Sequence, residues 1–148
     1  MRMPQRVSPP AEPGTLLKRH SGTRRKPTSG RAPRERDEAH LEAIRQCPCL
    51  ACGIDPAGEA AHIRMTRPGK PNAGVGRKPD DRWAVPLCRD CHRDGPTAQH
   101  RVGEEAFWIV TGLNPVRIAE SLHRVSPSVE AMRAVVFAAH SIGGTDGQ

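Results

Sequence analysis

The sequence predicts a small α+β domain held together by a metal. Three observations carry that prediction. Two Cys-x-x-Cys pairs, Cys49/Cys52 and Cys88/Cys91, stand 35 residues apart. Two short stretches suited to β-strands lie between and beside them, and helical patterns come before and after. Finally, the 148 residues contain only four aromatic side chains (Trp83, Phe107, Trp108 and Phe137), while Gly and Pro make up about a fifth of the chain. An apolar core built from such a composition is small, and small domains often need a staple such as a bound metal.

The elements follow in order. Residues 1–36, rich in Pro, Arg, Ser and Gly, read as a disordered basic arm. The run "RDEAHLEAIRQ" places Leu41 and Ile44 on one face and Asp37 and Glu38 at the start, as a helix of about three turns requires. Pro48 then leads the chain into "CPCLACG". "GEAAHIRM" predicts a strand around Ala60–Ile63, and "RWAVPLC" a second over 82–88, with Pro86 at a sheet edge. The two pair as a hairpin across the loop 67–81, which holds three glycines and three prolines.

Three helices complete the chain. The first runs from Pro96–Thr97 to Gly112 with Val102, Ala106 and Val110 on its apolar face. Asn114–Pro115 forms an N-cap followed by a first-turn proline, with Val116, Ala119 and Leu122 as the stripe. Ser126–Pro127 repeats that device before Val129, Met132, Val136 and Ala139. Domain limits are thus 1–36 for the arm, 37–112 for the metal-braced domain, 113–141 for a helical extension free to dimerise, and 142–148 for a tail.

Charge is unevenly spread. Ten Lys/Arg face two acids in residues 1–36, whereas thirteen face fourteen beyond them, so the net +7 belongs to the arm. Such an arm suits phosphate backbones through salt-sensitive, sequence-blind attraction. No apolar run approaches the roughly 18 residues of a membrane span. The N-terminus also lacks the apolar segment of an export signal. Five cysteines in a chain with no sign of export argue for metal rather than disulfides, and for a cytoplasmic protein.

Two Cys-x-x-Cys knuckles offer one ion four thiolates, the closed tetrahedral set of structural zinc. Four protein ligands leave no position for water, so Cys49, Cys52, Cys88 and Cys91 hold the fold and do no chemistry. Cys47 is a spare thiol or an alternative to Cys49; Gly53 after Cys52 favours the 49/52 pair. His62, His92 and His100 remain, and their order is informative. "CLAC", "AHI" and "PLCRDCH", continued by "QH" and "FW", resemble the zinc-stabilised HNH endonucleases of the ββα-metal superfamily. The likeness spans residues 40–112 and is nearest to small phage and prophage members, more distantly to the RecA-dependent recombination-enhancement type.

That resemblance implies a zinc-braced ββα-metal core hydrolysing DNA phosphodiester bonds in phage DNA metabolism or recombination. It makes His62 the general base, His92 a ligand of a catalytic divalent metal, and His100 a candidate second ligand. Magnesium suits the site if a carboxylate joins; manganese, nickel or zinc suits a histidine-rich shell. DNA is the implied partner, with a recombinase filament a further one. Arg64, Lys70, Arg77, Lys78 and Arg82 are the cations placed to meet phosphates.

Three positions depart from the family pattern. Ala61 stands where relatives carry Asp or His before the base. The middle Asn has no counterpart, Trp83 falling near its place and Asp81 two residues earlier, as an orienter of the base or a metal ligand. His92 and His100 are eight residues apart, about 12 Å along one helix, and Gly95–Pro96 forbids that helix. The other reading these departures leave open is a non-catalytic zinc-binding DNA-binding or adaptor protein. His20, His40, His123 and His140 have no motif context and read as surface residues; Trp83, Phe107 and Trp108 read as core.

Overall fold

In the structure, a computed structural model, residues 32–74 and 76–143 are described. His20, all but the last few residues of the basic arm and most of the tail lie outside them. The element order is α1 (Glu38–Arg45), β1 (Glu59–His62), a 3₁₀ turn (Asp81–Trp83), β2 (Ala84–Leu87) and a π-helical turn (Asp90–Asp94). Four helices follow: α2 (Gln99–Val102), α3 (Glu104–Thr111), α4 (Pro115–Val125) and α5 (Val129–Gly143). The result is a mixed α+β domain around a two-stranded sheet.

Helix α1 starts where its acids predict. The Asp37 carboxylate accepts from His40 N at 2.9 Å, and Leu41, Ala43 and Ile44 are buried. The strands pair antiparallel, with Glu59 opposite Leu87 and His62 opposite Ala84. All four β2 residues are buried, as a strand covered on both faces requires. Leu50 N donates to Pro86 O at 2.8 Å. The proline thus takes a bond from the first cysteine knuckle and gives none, the edge role open to it.

The helix expected over 96–112 is two helices, because Gly103 adopts φ 92° between α2 and α3. That left-handed value suits glycine and interrupts a right-handed helix. The buried face also differs from expectation: Phe107 and Trp108 enter the core, while Val102 and Val110 are 44% and 86% exposed. The aromatic pair removes more apolar area from water than the valines would, and it wins the inward position. With Ala106, the valines line an open apolar groove beside Ala51 and Cys91.

Helices α4 and α5 follow their stripes. Asn114 Oδ1 accepts from Arg117 N at 3.1 Å, and Val116, Ala119 and Leu122 are buried. The cap of α5 is Ser128 rather than Ser126: Ala131 N donates to Ser128 Oγ at 3.4 Å and Met132 N to Ser128 O. Ser126 Oγ is engaged instead with His40 Nδ1 at 2.8 Å.

Residues 113–141, expected as an extension, share one hydrophobic core with the knuckles and the sheet. Ile44, Leu50, Val85, Trp108, Leu122, Met132 and Val136 all belong to it. A Met132→Ala substitution should therefore cost about 2–5 kcal/mol for the whole unit, read as a shift of one cooperative denaturant transition. If α5 were separable, a second transition would appear and the first would not move.

The folded unit also takes in residues that the sequence assigns to the arm. Arg34 Nε donates to Pro79 O at 2.8 Å, Glu35 N to Asp80 Oδ1 at 2.9 Å and Asp81 N to Glu35 O at 3.2 Å. No helix of the described residues is long and apolar enough to cross a membrane.

Candidate metal centre and histidine cleft

The four knuckle cysteines converge. Their sulfurs all lie within 4.8 Å of one another, and Cys52 Sγ and Cys88 Sγ are 3.7 Å apart. Tetrahedral bonds of about 2.3 Å to one zinc would set sulfur–sulfur distances near 3.8 Å, so the donor set fits a metal such as zinc. Gly53 closes the first knuckle at φ 78°, its N–H donating to Cys49 O at 2.9 Å. In the second knuckle Cys91 N donates to Cys88 Sγ at 3.4 Å.

Burial opposes ionisation of Cys49, yet backbone groups of Cys88, Cys52 and Ala51 bring its pKa down. Burial and neighbouring thiols push Cys52 and Cys91 up, an opposition that a bound cation relieves. Cys47 stands apart. Its thiol donates to Ala43 O inside the helix at 3.3 Å, and burial raises its pKa to about 11. It is the spare thiol.

His62 ends β1, and its Nε2 lies 2.8 Å from Asp81 Oδ1. The 3₁₀ turn brings Asp81 there and buries it to 2% exposure. Asp81 Oδ2 accepts from Asp37 N at 3.0 Å, and Oδ1 is ion-paired with Arg34 as well. Both oxygens are thus engaged by protein donors, which fixes the carboxylate beside His62. Burial works against its charge, but His62, the Asp37 amide and Arg34 together hold its pKa below the usual carboxylate value. Burial lowers the pKa of His62 despite the pull of Asp81, aided by the positive charges of Lys78 and Arg34. A carboxylate only accepts, so Nε2 carries the proton and Nδ1 the lone pair.

His92 lies on the π-helical turn, Nδ1 2.7 Å from Glu59 Oε2. Glu59 also ion-pairs with Arg93. His100, on α2, packs its ring against His92 with centroids 4.6 Å apart and planes at 75°. The turn at Gly95 and the new start at Gln99 bring together two residues that one helix would separate. The rings meet edge to face. Among the described residues, the four cysteines are the one set of three or more His, Cys, Asp or Glu whose donor atoms converge.

A cleft of about 290 Å³ is lined by His62, Arg64, Gln99, His100, Gly103 and Glu104. The Glu104 carboxylate accepts from Arg64 N at 2.8 Å and Met65 N at 3.1 Å, fixing the chain as it leaves β1. Burial raises its pKa, and those backbone donors oppose the rise.

The expected phosphate contacts divide. Arg64 is exposed at the cleft, and Arg77 and Lys78 are exposed on the loop. Arg82 is half-buried, its guanidinium 4.9 Å from the Trp83 ring centroid. Lys70 is corrected: it is 1% exposed, and its Nζ donates to Met65 O at 2.9 Å inside the loop. A side chain so enclosed pins the loop and presents no charge to a partner. His40 is also corrected from surface to fully buried. It is held by Ser126 and lies edge to face with His123 at 5.3 Å.

Glu59, Arg34 and Glu104 were not visible as site residues in the sequence. Only the strand register, which sets Glu59 opposite Leu87 and so one step from the second knuckle, signals the first of them. Comparison with protein families, curated proteins and solved structures finds no match to this chain.

Proposed function

We propose that the chain is a metal-dependent, HNH-type endonuclease hydrolysing DNA phosphodiester bonds, its four-cysteine site holding a structural zinc. The observation that carries this reading is the His62–Asp81 pair, 2.8 Å apart, at a cleft shared with Arg64 and His100. His62 Nδ1 takes a proton from water; the water oxygen forms a bond to phosphorus, and the bond to the departing sugar oxygen breaks, that oxygen taking a proton from solvent. Asp81 keeps the base in the productive tautomer, the part that Asn plays in the family pattern. Arg64 and Lys78 supply positive charge for the phosphate oxygens.

His92 and His100 would hold the divalent ion. Such an ion supplies charge neutralisation at the phosphate and at the departing oxygen. Glu59 engages His92 Nδ1, leaving Nε2 as the donor, in the carboxylate–histidine arrangement common behind metal ligands. That no third donor converges with this pair among the described residues favours the second reading, a zinc-braced DNA-binding protein without cleavage.

Plasmid nicking with Mg²⁺ or Mn²⁺, comparing the wild type with His62→Ala at equal zinc content, decides between them. Cleavage that depends on His62 supports the nuclease. Binding without cleavage under every metal supports the second reading.

A further inference from the structure

We propose that Arg34 is a positioning residue of the His62–Asp81 pair, an inference that rests on the nuclease reading above. The sequence assigns Arg34 to the basic arm, among cations expected only to attract phosphate. The structure gives it a fixed place. Its Nε donates to Pro79 O at 2.8 Å, which aims the guanidinium; Nη2 pairs with Asp81 Oδ1 and lies 3.4 Å from His62 Nε2. Oδ1 is therefore one acceptor shared by two donors.

The chemical consequence concerns where a proton rests. A carboxylate already paired with a guanidinium is a weaker base, so the Nε2 proton stays on His62 and Asp81 remains ionised. His62 Nδ1 is then the group that accepts from water. Without Arg34, the uncompensated charge of Asp81 would stabilise the imidazolium, and His62 would hold a second proton at a pH where it should be free to take one. The groups acting on His62 are Asp81 from the 3₁₀ turn, Arg34 from the segment before α1, Lys78 from the loop and His40 from α1. Arg64, His100 and Glu104 share its cleft. Of these, Arg34 is the cation bonded to the carboxylate that holds the base.

The test uses the full chain and the variants Arg34→Met and Arg34→Lys. In Arg34→Met the NMR titration midpoint of His62 should move to higher pH, and the acid limb of kcat should move with it. At pH values below both midpoints activity should drop about tenfold for each unit of that movement, while activity well above them and KM change little. Arg34→Lys should restore most of the difference.

An unmoved His62 midpoint in Arg34→Met overturns the proposal, as does a raised KM with an equal loss at every pH, the mark of a phosphate contact. A moved midpoint in a protein whose cleavage does not need His62 overturns the nuclease reading instead, and the positioning role with it. A uniform loss that follows a lower melting temperature, unrescued by lysine, assigns Arg34 to folding alone and also overturns the proposal.

Discussion

Replacing Cys49 by serine is expected to abolish cooperative folding of the whole unit. Cys49 is fully buried and shares one hydrophobic core with Ile44, Leu87, Trp108 and Met132. A structural zinc contributes on the order of 10–16 kcal/mol in small domains near neutral pH, against total stabilities of about 5–15 kcal/mol. Losing a contribution of that size would remove most or all of the net stability of such a domain. The few aromatic side chains leave little to compensate. Metal analysis should find one zinc per chain in the wild type and less in the variant. A strong chelator should erase the thermal transition of the wild type, and excess zinc should restore it. A wild-type transition indifferent to chelation would show that packing alone holds the fold.

His62→Ala should lower cleavage about 10²–10⁴-fold, the range a positioned general base contributes, while leaving the fold in place. Asp81 loses one donor but keeps the Asp37 amide and Arg34, so no buried charge is orphaned. The change in stability should stay within about 1–2 kcal/mol. Nicking rates, with melting curves and zinc content on the same preparations, separate the two effects. Loss of activity in parallel with loss of zinc would assign His62 to structure.

The sequence and the structure agree where local chemistry dictates the answer. Soft ligands at Cys-x-x-Cys spacing make the cluster readable, and Asn114–Pro115 announces α4 because a capping oxygen and a fixed φ act within one turn. The two strands are readable from their composition, although they pair across the long loop between them. What escaped depends on partners chosen across the fold. Arg34 meets Asp81 at a separation of 47 residues and His40 meets Ser126 at 86, and no local pattern encodes either pairing.

The inward face of residues 99–111 departs from the periodic pattern for a different reason. Val102, Ala106 and Val110 satisfy helical periodicity, but they compete with Phe107 and Trp108, and periodicity does not weigh area. Lys70 shows the same gap: a lysine in a glycine- and proline-rich loop has the composition of a solvated residue. Its carbonyl partner is only five residues away, at Met65, yet only the closed loop turns the ammonium inward.

The shared core also has a consequence for biosynthesis. His140 Nε2 lies 3.0 Å from Leu50 O, 90 residues back along the chain. At about 5–20 residues per second, ribosomes take on the order of ten seconds to add such a length. Cys49 and Cys52 therefore emerge well before α5 exists to cover them. Metal capture by the knuckles would come first, while the chain is still being made, and the apolar core would close over a centre already formed.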